Sequence, residues 1–420
     1  MQSFLILGSN PSISFAEIYG LVIGQESLVN DDGNKDSINS FIVSAASQAI
    51  IVDDEEIGRL GPGVLGGVPK SGEILEVFSQ LDARQLSSLL LNYATEGQKF
   101  HFGLSMYEIG KKTYSSQKLK ALGLEIKKNL KASGLSVRLV ESRSNNLSSV
   151  DVIKNKLIDK GVELCVFSSE EGFVVGRTLA VQPFEQYSDR DYGRPGRDAK
   201  RGMLPPKLAR IMVNLSAAQA GDLLVDPFCG VGTVLQEALL MGYKVIGTDV
   251  DERAVRQTKK NIEWLLREHK AELPDYKIDA MDVRKLDKAI TEKSVDAIVT
   301  EFDLGPPLLG DESSVKIESI EKSLSEFYAE ALDLIKYVLK DGKRAVVAWP
   351  YFARQNIFVS VFDKLESFGF RVVAPYPEKY NAIYPLSERG TLLYGREGQH
   401  VFREIVILEK DVAGSPPFSI

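Results

Sequence analysis

Through the first 180 residues, short apolar runs alternate with turns and with stretches of helical period. Phe4–Leu7, Phe41–Val43 and Ala49–Val52 predict strands, and Ala16–Ile23 between them is helical in period. The glycines and proline of Gly61-Pro62-Gly63 to Gly66-Gly67 predict a loop. A helix is expected over Asp82–Ala94. Period-2 apolar positions at Phe100, Phe102 and Leu104 predict a strand over Lys99–Leu104. Leu119–Ala132 reads as a basic helix stopped by Gly134, and Val137–Val140, Glu163–Phe167 and Phe173–Ala180 as strands around a helix at Val150–Lys160. These elements divide into an N-terminal α+β subdomain over 1–75 and a second α+β module over 76–182.

Residues 183–203 carry no apolar period and are rich in Gly, Pro and Arg, as a linker would be. From Leu204 the pattern changes to strand and helix in turn. Helices are expected at Pro205–Leu215, Val234–Met241, Glu252–Glu268, Glu318–Leu339 and Asn356–Phe368. Strands are expected at Leu223–Val225, Lys244–Asp249, Tyr276–Asp279, Val295–Thr300 and Arg344–Trp349. That order predicts an α/β domain over 204–420 with an open, mostly parallel sheet.

The 420 residues are 44% hydrophobic and 26% charged, which is globular composition and suggests two or three domains. Two cysteines make neither a disulfide scaffold nor a four-thiolate zinc site, and the three histidines have no ligand spacing, so no metal is expected. No apolar run approaches the ~18–20 residues of a membrane span. The run Phe4–Leu7 is too short for a secretory signal and has no basic residue before it. The expected setting is a reducing cytoplasm, with no membrane partner.

Charge is unevenly placed within a net −7. Residues 1–98 hold 4 Lys/Arg against 13 Asp/Glu, and residues 99–160 hold 13 against 5. A basic block inside an acidic chain is the footprint of a phosphate-neutralising surface, or equally a solvated helix face. Lys111, Lys112, Lys127 and Lys128 are its candidate RNA contacts. Arg194 and Arg197, interleaved with tyrosine in the linker, are further candidates if that segment is more than a spacer.

The sharpest chemical signal is Leu223-Leu224-Val225-Asp226-Pro227-Phe228-Cys229-Gly230-Val231-Gly232-Thr233. An apolar strand ends in an acid, and a glycine turn then opens a helix. Glycine lets backbone approach a ligand closely, and ligands of open α/β sheets bind at the carboxyl ends of strands. The turn is neither the dinucleotide fingerprint nor a P-loop. A second acid, Asp249, ends the next strand where a carboxylate meets ribose hydroxyls. A third, Asp282, follows the strand after that. Together they describe an adenosine-type ligand. Asp226 is expected near its amino-acid end, Asp249 on the ribose and Asp282 on the adenine amine. Val250 and Val283, which follow two of the acids, complete the expected cofactor site. The alternative for each acid is a helix N-cap.

Asp-Pro-Phe-Cys-Gly-x-Gly-Thr followed by Gly-Thr-Asp-x-Asp resembles the S-adenosylmethionine-dependent amino-methyltransferases. More closely, Met203-Leu204-Pro205-Pro206-Lys207-Leu208-Ala209-Arg210-Ile211-Met212-Val213-Asn214-Leu215-Ser216 resembles the tRNA guanosine-N2 methyltransferases of the Trm11 and archaeal Trm-G10 type. Leu147–Asn155, Val174–Gln182 and the opening Phe4–Pro11 are similar as well. The resemblance implies a Rossmann-like methyltransferase domain preceded by a THUMP-type RNA-binding module. It also implies S-adenosylmethionine as cofactor and methylation of a guanosine amine in tRNA, typically at position 10. Eukaryotic relatives add a small activator subunit.

In one place the chain departs from the family. Where the family has Asp-Pro-Pro-Tyr, this chain has Glu301-Phe302-Asp303-Leu304-Gly305-Pro306-Pro307. By position Glu301 replaces the acid that accepts from the target amine, Phe302 supplies the stacking ring, and Asp303 is a substitute acceptor. Cys229 is expected to pack rather than react, since the transfer needs no covalent nucleophile. Two other readings remain: methylation of a DNA or rRNA amine, and an RNA-binding protein that keeps the cofactor fold without catalysis.

Overall fold

The computed structural model describes residues 1–26, 41–95, 97–110, 114–142, 144–169, 172–197, 202–269, 274–396 and 398–412. The chain forms two compact units. One comprises Met1–Ser14 and Val29–Gln186, the other Phe15–Leu28 and Tyr187–Ile420.

The strands of the first unit are β1 (Ser3–Ile6), β2 (Ile42–Ala45), β3 (Ala49–Val52), β4 (Lys70–Phe78), β5 (Phe100–Glu108), β6 (Val137–Val140), β7 (Gly161–Ser168) and β8 (Phe173–Val181). They make one sheet in the order β2-β3-β1-β4-β8-β7-β5-β6. The division expected at residue 75 is absent, because β4 crosses it and pairs with both β1 and β8. Gly61–Gly63, expected as loop, lies in a helix over Glu56–Val64. Glycine is required on its inner face: a Cβ on Gly58 would sit 2.4 Å from Ser3 Oγ and 2.9 Å from the Gly72 carbonyl oxygen. The basic helix, Ser116–Ala132, is capped by the Ser115 side chain. It buries Leu119, Leu122, Ile126 and Leu130 against the sheet core.

A buried polar network ties this sheet internally. Lys70 Nζ donates to Glu163 at 2.5 Å and to the Leu147 carbonyl at 2.8 Å. Glu163 also accepts from the hydroxyls of Ser105 and Thr178, both at 2.5 Å. Glu163 is fully buried and Lys70 nearly so.

The second unit contains β9 (Leu223–Asp226), β10 (Lys244–Asp249), β11 (Tyr276–Ala280), β12 (Val295–Glu301), β13 (Leu339–Phe352), β14 (Ile357–Phe358), β15 (Phe370–Val372), β16 (Leu392–Tyr394) and β17 (Val401–Lys410). The main sheet runs β11-β10-β9-β12-β13-β17-β15. The first five of these strands are parallel, and β17 enters antiparallel beside β13. Long apolar runs such as Ala345–Trp349 suit strands covered on both faces. The α-helix expected over Asn356–Phe368 is instead the short strand β14 followed by a 3-10 helix over Ser360–Phe368.

The segment 183–203 is not a free linker. Phe184–Ser188 is helical, and a wide helical turn follows over Asp189–Gly193. Arg190 Nε donates to Glu237 at 2.5 Å, and Arg210 Nε reaches the same carboxylate at 3.0 Å. From Tyr187 onward the segment belongs to the second unit.

Candidate active site

β11, β10, β9 and β12 are neighbours, so their carboxyl ends lie side by side along one edge of the sheet. The strands stay parallel, but their order along the sheet switches sides between β9 and β12, which is where open α/β sheets form their ligand crevice. Asp226 ends β9, Asp249 ends β10 and Glu301 ends β12.

Asp226 is 2% exposed. Its Oδ1 accepts from the Thr300 hydroxyl at 2.6 Å and from the Phe228 N–H at 3.2 Å. Burial pushes its carboxyl up to about 7, against the pull of those two donors; the negative charges of Asp249 and Glu301 add to the rise.

The turn after β9 depends on two glycines with positive φ, Gly230 at +53° and Gly232 at +82°. A Cβ on Gly232 would also meet Thr258 Cγ2 at 2.6 Å. Asp249 holds the turn: its Oδ2 accepts from Gly230 N–H at 2.9 Å, and its Oδ1 from Asp251 N–H at 2.8 Å. Two residues of the helix Glu252–His269 brace the turn from behind. The Thr258 hydroxyl donates to the Gly230 carbonyl at 2.7 Å. Asn261 Nδ2 donates to the carbonyls of Val231 at 2.8 Å and Gly196 at 2.9 Å, while its Oδ1 accepts from Gly196 N–H at 2.7 Å. Pro227 and Cys229 are buried in the turn. Burial pushes the Cys229 thiol well up, so it is a packed group and a poor nucleophile.

Beside the turn lies a cleft with about 520 Å³ of empty space, partly open to solvent. Met203, Asp226, Phe228, Gly230, Thr233 and Glu301 are among its walls. Asp282 is placed differently. Its carboxylate caps the turn Val283–Lys288 and pairs with Arg284 Nη2 at 2.5 Å. Hydrogen bonding from Arg284 holds its carboxyl below the ordinary range. Asp282 thus takes the N-cap role that was the alternative for each acid. Val250 is 74% exposed, whereas Val283 is buried in the core.

In the altered loop, the Glu301 carboxylate accepts from Arg403 Nε of β17. Burial pushes the Glu301 carboxyl up, and the Arg403 charge opposes that rise. Phe302 does not offer the expected stacking face. It is 1% exposed and packs against Tyr328 at 4.7 Å, Phe228 at 4.9 Å and Trp349 at 6.2 Å. The half-buried Phe228 is the ring on the cleft wall. The Asp303 side chain is exposed and accepts from Gly305 N–H at 3.1 Å. Its carbonyl accepts from the Tyr328 hydroxyl, which fixes the loop's path.

The expected RNA contacts separate. Lys128 is exposed and Lys127 half-buried on the basic helix. Lys111 and Lys112 lie outside the described residues. Arg197 is exposed, with its guanidinium 5.4 Å from the centre of the Tyr192 ring. Arg194 is 2% exposed, so it cannot reach a phosphate backbone from its position. Its Nη1 donates to Thr233 Oγ1 at 2.7 Å instead. Sequence reasoning missed Thr258, Asn261, Thr300 and Arg403. Only Thr300 carried a signal, as the residue before the acid that ends its strand. Among the described residues no group of three His, Cys, Asp or Glu side chains could hold a metal ion, and no helix is long and apolar enough to cross a membrane.

A parallel sheet in this order, with an antiparallel strand beside its fifth member and acids at the central strand ends, is a Rossmann-like methyltransferase fold. Residues 194–366 match the family model of the RMKL-like methyltransferase domain. A DNA methylase model matches 83–260 and stops before β12. The structure of TrmN from Thermus thermophilus shares the fold, with a TM-score of 0.53 at 16% identity over 98% of this chain and 100% of that one. The tRNA (guanine(10)-N2)-dimethyltransferase of Methanothermobacter thermautotrophicus is 39% identical over 48% of this chain and 54% of its own length. The enzyme of that name from Methanocaldococcus jannaschii is 34% identical over 42% and 48%. A probable tRNA (guanine(10)-N2)-dimethyltransferase of Methanothermococcus thermolithotrophicus is 40% identical over 29% of this chain and 72% of its own length. The chain belongs to the tRNA (guanine(10)-N2)-dimethyltransferase family. It spans about half the length of the first two curated relatives.

Proposed function

We propose that this protein transfers a methyl group from S-adenosylmethionine to the exocyclic N2 amine of a guanosine in tRNA, with position 10 as target. One observation carries the reading: Asp226, Asp249 and Glu301 end neighbouring strands around a glycine turn, and Asp226 and Glu301 line the cleft beside it. The residues fit the nucleoside. Gly230 lines the cleft with a positive φ that suits glycine, so the backbone there is bare for close approach. Asp249 has one backbone donor on each oxygen and keeps lone pairs for vicinal hydroxyls. Val250, beside it, offers exposed apolar surface to a base.

When bound, the sulfonium group supplies a methyl that is already activated. The protein's task is then alignment and charge. The guanine amine is a weak nucleophile because its lone pair is delocalised. Glu301, oriented by Arg403, accepts from an amine hydrogen and takes up developing positive charge. The carbonyls of the following loop, whose path Tyr328 fixes, are the complementary acceptors. Phe228 is the ring available to a base in the cleft. The first unit, with Lys111, Lys112, Lys127 and Lys128, acts as a THUMP-type module that holds the tRNA body by its phosphates and sets register without reading bases. A small activator subunit and a cytoplasmic setting belong to the same reading.

The burial of Phe302 and the pairing of Glu301 favour one second reading, an RNA-binding protein that retains the cofactor site without catalysis. Tritium transfer from labelled S-adenosylmethionine to unmodified tRNA, rRNA and duplex DNA separates the cases. Label recovered as N2-methylguanosine from tRNA supports methylation. Cofactor binding with no transfer supports the second reading, and label only in DNA or rRNA replaces the substrate.

A further inference from the structure

Three buried arginines lie close in sequence or in space, and one differs from the others. Arg190 and Arg210 share the carboxylate of Glu237. Arg194 has no ion pair among the described residues, and Asp191 and Glu237 act on it only as neighbouring charges. Its Nη1 donates to the Thr233 hydroxyl at 2.7 Å, its Nη2 to the Met203 sulfur at 3.2 Å, and its Nε has no hydrogen-bond partner among the described residues. Burial lowers its pKa to about 10. A buried guanidinium whose five N–H groups meet one hydroxyl and one thioether among the described residues, with Nε unmatched, is incompletely compensated, since a thioether is a weak acceptor.

Both of its partners line the cleft. Thr233 is also the first residue of the helix Thr233–Leu240, whose N-terminal N–H groups favour negative charge. The opposite polarity stands at the strand ends, where Asp226 and Glu301 line the same cleft. The amino-acid end of S-adenosylmethionine is a zwitterion, with one ammonium and one carboxylate. Its charges match this arrangement: ammonium toward the acids, carboxylate toward the guanidinium and the helix start.

We propose that Arg194 is the counter-ion of the cofactor's α-carboxylate, replacing its contact with Met203 by a charge-assisted hydrogen bond when the nucleoside binds. The proposal rests on the cofactor assignment above. It gives the segment 187–203 a role in cofactor binding rather than in spanning between domains or gripping RNA.

The test compares two ligands that differ only in the carboxylate, S-adenosylhomocysteine and its decarboxylated form S-adenosyl-3-thiopropylamine, by isothermal titration calorimetry on the full chain. The wild type is expected to prefer S-adenosylhomocysteine by about 10- to 100-fold, the range for a hydrogen bond to a charged group. In Arg194→Gln that preference should collapse to within about threefold, while affinity for the thiopropylamine stays within about threefold of wild type. A purely structural role would weaken both ligands alike, and an unchanged preference in the variant overturns the proposal. Equal binding of the two ligands by the wild type overturns it without any variant. If Arg194→Gln does not fold, Arg194→Lys decides: lysine keeps the charge but loses the planar fork, so a reduced preference supports the proposal and a full one overturns it. A wild type that binds neither ligand removes the cofactor assignment itself, a result distinct from loss of the preference alone.

Discussion

Each unit buries a carboxylate near the middle of its sheet, and the two acids are treated in opposite ways. Glu163 meets an ammonium and two hydroxyls, so its charge is answered by its own chain. Asp226 is buried almost as deeply, yet it receives one hydroxyl and one backbone N–H, and the neighbouring charges of Asp249 and Glu301 are negative. A fully answered acid fixes a sheet. An incompletely answered one at a strand end, beside a cleft, has the electrostatics that mark a candidate site, and its raised pKa is the sign of that difference.

The comparison breaks first at Lys70. Lys70→Met strands the Glu163 charge and should cost about 3–5 kcal/mol in chemical denaturation, while Lys70→Met with Glu163→Leu recovers most of the loss. If the single change is harmless, Glu163 is not the structural member of the pair. Asp226 should respond to pH instead. Its carboxyl stands at about 7 in the folded protein, against ~3.9 when unfolded, so the folded state keeps a proton that the unfolded state has lost. The stability contributed by this group is complete below about pH 4 and drains away as pH rises to 7, by a few kcal/mol. Melting temperatures of wild type and Asp226→Asn should therefore converge at low pH and diverge toward neutrality, with the Asn variant higher. Parallel pH curves would mean the carboxyl is not perturbed.

Asn261→Ala sharpens the contrast on the ligand side. It removes three hydrogen bonds to the turn and to Gly196, and should cost about 1–3 kcal/mol and open the segment near Gly196 to limited proteolysis. The smallest effect on stability, within about 0.5 kcal/mol, is expected from exchanging Lys111, Lys112, Lys127 and Lys128 for Gln. That variant should still lose tRNA affinity and show a shallower salt dependence, with cofactor affinity unchanged. Equal loss of both affinities would refute the division of labour between the units.

The parallel strands and the glycine turn were legible because apolar runs ending in an acid, followed by glycine, leave few alternatives. That Asp226, Asp249 and Glu301 end their strands was legible from local pattern alone. The groups that orient them were not, because Arg403 lies 102 residues from Glu301 and Thr300 lies 74 from Asp226. Asp282 misled because an acid after a strand serves equally well as a cap. Arg194 misled because Gly-, Pro- and Arg-rich composition describes a solvated linker as well as a strap that turns Arg190 and Arg194 inward. β4 was missed because Glu73 and Glu76 interrupt its apolar alternation, and the helix over Gly61-Pro62-Gly63 because glycine and proline usually signal a turn.

β17 sets a practical limit on dissecting this molecule. The family match closes at residue 366, but β13 is zipped to β17 from Arg344↔Glu409 to Phe352↔Val401. A fragment cut at the family boundary would bare that whole flank of β13, an open edge that invites aggregation, and would deprive Glu301 of its arginine. The smallest fragment that keeps β13 paired and the cleft intact therefore has to run on to Lys410.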